Sequence, residues 1–223
     1  MRTKRIYIVA LFAFVLLVMR GQAQGNMYTA NMKKGIAMLD TARGVADFTK
    51  AAAVFEKVNQ DHPGEWLPHY YIALCQLLVA LEKKGNEIDA WCDKSEKHIS
   101  RADSLSGNNS EIYVLKSLLA SARIQVNKTA RGQKFGGQAY KWAEEAIKLD
   151  ASNPRAWLQK ATAIYYTPPA FGGGAKKAKP VFDTAMEKFT AFKVSSNLYP
   201  HWGKDRAKAM LHESEKQTTV KTK

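Results

Sequence analysis

The stretch "NPRAWLQKATAIYYTPPAFGGGAKKAKPVFDTAMEKF", residues 153 to 189, contains two helical patterns separated by a segment that disfavours helix. In both patterns apolar residues recur at spacings of three and four, which is the periodicity of an amphipathic helix. Pro168 and Pro169 lack the backbone N–H that a helix needs, and the three glycines after them suit a turn. This stretch therefore predicts two antiparallel helices joined by a tight connection.

A small-large-small pattern at positions i, i+4 and i+7 occurs four times along the chain, with a small residue in place of the large one in the third copy. The middle residues, Phe55, Ile99, Ala143 and Phe182, are 44, 44 and 39 residues apart. Three helices between them carry a large residue followed four positions later by a small one. These pairs are His69 and Ala73, Tyr113 and Ser117, and Trp157 and Ala161. Such a period predicts stacked helix pairs.

The alternation of these two patterns resembles the tetratricopeptide repeat, over roughly Ala46 to Phe189, with "ASNPRAW" as the closest local match. Tetratricopeptide repeats run 34 residues, so we expect the surplus in "KKGNEID", "NKTARGQKFGG" and "TPPAFGGG", between the helices of each pair. We expect Phe135 and Phe171 to cover the hairpin ends. The resemblance implies an all-α, right-handed solenoid of about four helix pairs. A C-terminal capping helix follows, with Trp202 packed against the fourth pair.

A second resemblance spans nearly the whole chain. The segments "EWLPHYYIAL", "NSEIYVLKS", "NPRAW", "FGGGAKKAKPVFDTAMEKF" and "YPHWGKDRAKAML", in this order, are similar to a group of exported tetratricopeptide proteins of Bacteroidetes. The FGG turn is also similar to the periplasmic tetratricopeptide partners of TRAP transporters. These resemblances imply fold and export, and they carry no catalytic residue over to this chain.

The N-terminus predicts export. "MRTKR" carries three positive charges, Ile6 to Met19 is an unbroken run of 14 apolar residues, and small residues follow at Gly21 and Ala23. This is the pattern of a secretory signal peptide cleaved after Ala23. Fourteen helical residues rise about 21 Å, less than the roughly 30 Å of a hydrocarbon core, which argues against a retained anchor. We therefore predict a signal peptide at 1–23, a repeat domain at 24–212, a disordered polar tail at 213–223 and a periplasmic location.

The chain is basic, with a net charge of +14 that falls to +10 without the four cations of the leader. Charge of this size often accompanies nucleic-acid binding. Here the lysines are scattered and the chain has an export signal, so we predict a solvated basic surface and no nucleic-acid partner. Apart from the leader, membrane contact is expected only transiently, through this basic surface.

No pattern of a catalytic, metal or cofactor site is recognisable. The five histidines, His62, His69, His98, His201 and His212, form no HExxH motif and no metal-ligand spacing with cysteine. "FGGGAKKA" lacks the Ser or Thr of a P-loop and follows a helix, so a structural turn is favoured over an anion site. We therefore predict a protein that is not an enzyme and has no cofactor.

Cys75 and Cys92 fall on consecutive antiparallel helices, at similar distances from the turn between them. A disulfide needs Cα atoms within about 7 Å, closer than the usual 8 to 10 Å between helix axes. A disulfide and two buried thiols both remain possible, and either role is structural.

The motif offsets place one set of residues on the inner wall of the array. They are Tyr70, Glu111, Arg155, Thr162 and Tyr165. Aromatic rings with one Arg and one Glu suit a peptide, which favours a non-catalytic scaffold or adaptor for a protein partner in the cell envelope. Two alternatives stay open: a small-molecule or transporter-associated binding subunit with a pocket between the inner helices, and an inner wall that is simply core.

Overall fold

The computed structural model describes residues 25–220, which form nine α-helices and one 3₁₀ turn, without a strand in that part. The predicted signal peptide, residues 1–23, lies outside the described residues. The helices are α1 (25–40), α2 (Val45–Asp61), α3 (Trp66–Glu82), α4 (Glu87–Leu105), α5 (Ser110–Ile124), α6 (Lys128–Leu149), α7 (Pro154–Tyr166), α8 (Ala175–Ala191) and α9 (Lys204–Val220). No helix within residues 25–220 is long and apolar enough to cross a membrane. The all-α prediction is confirmed.

Consecutive helices pack as hairpins, and α5 also contacts both α3 and α7 directly. These three helices therefore form a continuous inner layer, on which α2, α4, α6 and α8 pack from outside. All twelve residues of the four small-large-small patterns are buried, and so are Ala73, Ser117 and Ala161 of the inner helices. Small residues at these positions let neighbouring helices approach closely.

Two hydrogen bonds show that the hairpins are equivalent. The Ser95 hydroxyl donates to the carbonyl of Ala73 at 3.0 Å, and the Ser117 hydroxyl donates to the carbonyl of Ala139 at 2.8 Å. Each bond joins the small residue of an inner helix to the first small residue of its outer partner. Only a short side chain at these positions allows such contact, which explains the repeated small residues.

Asparagine caps start three of the helices. The side chains of Asn109, Asn127 and Asn153 accept a hydrogen bond from a backbone N–H in the first turn of α5, α6 and α7. Such caps satisfy donors that a helix start leaves unpaired. Pro154 follows its cap at the first helical position, where the missing N–H costs nothing. The "NPRAW" segment is therefore a helix start.

The connection from α7 to α8 is the tight turn that the sequence predicts. Pro169–Phe171 form the 3₁₀ turn, and Gly172 and Gly174 have φ angles of 83° and 92°. A Cβ on Gly173 would lie 2.2 Å from the carbonyl oxygen of Thr167. Contrary to expectation, the Phe171 side chain is 80% exposed and covers no hairpin end.

The glycines of "NKTARGQKFGG" lie inside α6, so the prediction of an extra loop there is wrong. The surplus residues of this repeat instead lengthen α6 to 22 residues. The Asn127 cap starts the helix, and Arg131 donates to Asp89 of α4 at 2.8 Å. These contacts favour the helix against the cost of glycine, about 1 kcal/mol per residue.

The segment 192–203 leads from α8 to α9 and runs back to the first repeats. Trp202 donates from Nε1 to the Tyr70 hydroxyl at 2.8 Å, and the Tyr71 hydroxyl donates to the carbonyl of Leu198 at 2.9 Å. Trp202 therefore packs against α3, and it also packs against a buried cluster that includes Ala156 of α7, in the predicted fourth pair. Helix α9 does cap α8, but it continues to Val220, through most of the tail predicted to be disordered.

Candidate functional site

A groove of about 580 Å³ opens at the C-terminal ends of the inner helices. Its lining comes from elements as distant in sequence as α2 and α9. The apolar and aromatic lining residues are Phe48, Leu78, Leu81, Ile88 and Tyr166. The cationic lining residues are Lys83, Lys84, Lys128 and Arg206, and one carboxylate, Glu82, lies among them. The groove lining therefore combines apolar and aromatic side chains with several cationic ones.

Three of the four cations are uncommitted within the described part of the chain. Lys83 pairs with Glu87 at 3.1 Å. Lys84, Lys128 and Arg206 are exposed and form no ion pair among residues 25–220. Lys84 lies in the connection from α3 to α4, where Lys83 is extended and Gly85 has a φ of 56° in the turn before α4. These side chains are available to bind an anionic group.

Tyr166 is the last residue of α7, and its side chain is 62% exposed. Thr167 takes an extended conformation and Pro168 follows it, so the helix cannot continue and cover the ring. The ring therefore presents an aromatic surface to the groove.

A buried polar network holds the inner helices together near their N-terminal ends, at the opposite end of these helices from the groove. The Arg155 guanidinium contacts both oxygens of Glu111, at 2.6 Å from Nη2 and 2.9 Å from Nε. Tyr70 donates to the same carboxylate at 3.2 Å, and Asn153 donates to it at 2.8 Å. The network links α3, α5 and α7, while Trp202 extends it to the C-terminal segment.

Burial and charge set the ionisation of this network. Burial lowers the pKa of Arg155, but the adjacent Glu111 carboxylate outweighs burial, and the net effect is a raised pKa. Burial, reinforced by the charge of Glu111, raises the pKa of Tyr70 well above its ordinary value. Arg155 therefore stays cationic, Tyr70 stays a neutral donor, and the network is a permanent structural element.

The five predicted inner-wall residues do not line the groove. Tyr70, Glu111 and Arg155 are brought together in the buried network. The Thr162 hydroxyl bonds to the carbonyl of Leu158 in its own helix, and Tyr165 accepts a hydrogen bond from Gln217 of α9. Contact with a ligand stays a prediction for these residues. Sequence reasoning missed Tyr166 and the basic residues, although all but Arg206 lie at or beside predicted helix ends.

His69 and His98 form a pair between α3 and α4, with their Nδ1 atoms 2.9 Å apart. Burial, then the charges of His98 and Arg101, lowers the pKa of His69 to about 4. Burial also lowers the pKa of His98. Both rings are therefore neutral at neutral pH, and one Nδ1–H donates to the other Nδ1.

Cys75 and Cys92 are both buried, and both are free thiols in the structure. Burial raises the pKa of each thiol to about 12. Of the two alternatives that the sequence leaves open, the structure therefore has the buried thiols.

Comparison with solved structures relates this chain to a protein of known type. The HusA haemophore from Porphyromonas gingivalis is 33% identical, with a TM-score of 0.78 over 86% of this chain and 94% of that one. The chain belongs to the family of HusA. No protein-family model and no curated protein sequence matches it.

A second structure extends the comparison beyond the HusA family. A thermophilic TPR protein from Thermus thermophilus is 18% identical, with a TM-score of 0.56 over 85% of this chain and 91% of that one. At this identity the match shows the fold alone, and it confirms the tetratricopeptide-like architecture of this HusA relative.

Proposed function

We propose that this HusA relative is a non-catalytic binding protein whose ligand is haem or a similar flat, carboxylate-bearing macrocycle, held in the groove. The single observation that carries the proposal is a groove lined by apolar and aromatic side chains and by three uncommitted cations, in a chain 33% identical to a haemophore. The proposal develops the small-molecule binding alternative that the sequence leaves open.

The volume of the groove and its apolar side chains suit a flat macrocycle. A volume of about 580 Å³ falls within the range of roughly 300–1,000 Å³ that small-molecule and cofactor sites occupy. Phe48 and Tyr166 supply aromatic surface, and Leu78, Leu81 and Ile88 supply aliphatic surface. Burying a porphyrin face against these side chains supplies the hydrophobic part of the affinity.

The cations suit the two propionate carboxylates of haem. Charge-assisted hydrogen bonds from Lys or Arg to carboxylate are stronger than neutral ones. Lys84, Lys128 and Arg206 have no internal partner among residues 25–220 to displace. Binding therefore does not cost the protein an existing ion pair.

Coordination of iron is not the main source of affinity in this proposal. His, Cys, Met and Tyr are the usual axial ligands of haem. Among the described lining residues only Tyr166 is of such a type. Iron-free protoporphyrin IX should therefore bind within about tenfold of haem, because it presents the same apolar face and carboxylates.

A titration of the purified chain with haem, followed by Soret absorbance, tests the proposal. The variant with Lys84→Glu, Lys128→Glu and Arg206→Glu should bind at least about tenfold more weakly, because a charged hydrogen bond contributes about 1.5–3 kcal/mol. The matched control carries Lys97→Glu, Lys208→Glu and Lys216→Glu, with the same charge change on exposed residues outside the groove. Equal affinity of the two variants would refute the role of the groove.

A protein partner in the cell envelope is the second candidate function. The exposed rings of Phe171 and Tyr166, at the α7–α8 connection, favour it, because aromatic residues are enriched in interfaces. Crosslinking the tagged protein in its native envelope tests this role, and recovery of abundant bystanders alone would contradict it. Both functions require export. An N-terminal residue of Gln24 in the protein isolated from the cell envelope would support export and cleavage of the signal peptide.

A further inference from the structure

A second cavity, of about 280 Å³, lies between the outer helices α2 and α4. These two helices pack mainly against α3, which forms the floor. The apolar walls are Phe48, Ala52 and Val79, and the indole of Trp91 lines the α4 side. The cavity is therefore a cleft with an aromatic side and a helical floor, separate from the groove except for the shared Phe48.

Gln76, in the floor, is 6% exposed and lines this cavity. Its buried Oε1 atom has no hydrogen-bond partner among residues 25–220. An unsatisfied buried polar group costs about 1–3 kcal/mol, and such groups are rare in folded proteins. The other cavity-facing residues of α3 include Val79, so an apolar side chain would suit this position better for folding alone.

The mouth of the cavity carries one residue of each charge. Glu56 and Lys94 are both exposed, and the Lys94 ammonium lies 4.2 Å from the centre of the Trp91 ring. Opposite charges at the mouth give no preference for an anion or a cation. The lining therefore selects for an apolar body with a hydrogen-bonding edge.

We propose that this cleft binds a small neutral molecule with a flat apolar body and a carboxamide or lactam edge. A primary amide such as Gln76 offers both an acceptor and donors, so the matching ligand edge has an N–H beside a C=O. The ligand N–H donates to Oε1 of Gln76, and the flat body lies against Trp91 and Phe48. The volume, just below the usual range for ligand pockets, limits the ligand to a small one. This site does not depend on haem binding in the groove.

Benzamide is the probe, because it joins a flat ring to a primary carboxamide. In ¹⁵N-edited NMR spectra of the full chain, benzamide should shift the side-chain amide signals of Gln76 and the indole signal of Trp91, with saturation in the millimolar range. Acetophenone keeps the ring and the carbonyl but lacks the N–H, and it should bind about tenfold more weakly because one hydrogen bond is lost.

Variants separate the cleft from non-specific binding. Gln76→Leu should weaken benzamide binding about tenfold, whereas Gln138→Leu, an exposed glutamine of α6, should leave it unchanged. Circular dichroism checks that both variants fold. If Gln76→Leu does not fold, the comparison of benzamide with acetophenone on the unmodified chain still tests the proposal. The proposal is overturned if benzamide gives no shifts at about 20 mM, if acetophenone binds equally well, or if a folded Gln76→Leu retains full affinity.

Discussion

The buried pair of Glu111 and Arg155 should be one of the most sensitive points of the fold. Arg155 is 1% exposed and Glu111 is 8% exposed, and the pair lies where α3, α5 and α7 meet. Glu111→Gln keeps the size of the side chain but leaves the guanidinium buried without its counter-charge. Breaking a buried pair in this way costs about 3–5 kcal/mol, a large part of the 5–15 kcal/mol that stabilises a typical domain.

Urea denaturation followed by circular dichroism at 222 nm measures this loss as the free energy of unfolding. The control is Asp61→Asn, which removes the exposed pair of Lys57 and Asp61, with side chains 68% and 47% exposed. Exposed pairs contribute about 0–1 kcal/mol. Glu111→Leu should also destabilise the fold, because it leaves the Arg155 guanidinium buried alone. Adding Arg155→Met to this variant should recover at least half of the lost free energy of unfolding, because no charge is then buried alone. A cost for Glu111→Gln as small as that of Asp61→Asn would refute the reasoning.

Three further predictions concern stability and reactivity. As pH falls from about 6.5 to about 4, His69 takes up a proton in the unfolded chain before it does so in the folded one, so the free energy of unfolding should fall. In urea denaturation at a series of pH values, His69→Gln should show a smaller fall. An equal fall would contradict the low pKa assigned to His69. Gly173→Ala should cost more than about 2 kcal/mol because its Cβ meets backbone, whereas Gly136→Ala, in the interior of α6 with open space around it, should stabilise by about 0.5–1 kcal/mol in the same assay. Cys75 and Cys92 should resist a thiol reagent at pH 8 in the folded protein and react after denaturation; rapid labelling of the folded chain would show that they are accessible.

The helical architecture could be predicted from the sequence because its signals are local. Alanine and serine at fixed spacings mark the surfaces where helices meet, and Ser95 and Ser117 then make the equivalent bonds to Ala73 and Ala139. Helix starts could be located in the same way, since Asn153 followed by Pro154 is a cap with a favourable first residue. Such features depend on neighbours within one or two turns.

The prediction of a loop before α6 failed because local preference does not decide that segment. Gly132, Gly136 and Gly137 disfavour helix only weakly, and Arg131 holds the first turns of α6 to Asp89 of α4, 42 residues away in sequence. A tertiary contact of this kind has no local signature. The hydrogen bond from Trp202 to Tyr70, 132 residues away, has no local signature either.

The groove could not be assembled from the sequence for a related reason. Motif offsets identified the residues that face the neighbouring inner helices, and Arg155 and Glu111 indeed lie there, but close packing buries them. The groove lining depends on how far the array curves, which brings Phe48 of α2 and Arg206 of α9 to one cavity. No spacing within a repeat encodes that curvature.

A structure of the chain in complex with haem would show whether the groove is the binding site. We expect a macrocycle in the groove, in contact with Phe48 and Tyr166, with its propionates within hydrogen-bond distance of at least one of Lys84, Lys128 and Arg206. A macrocycle bound elsewhere on the surface, or propionates directed away from all three cations, would contradict this expectation.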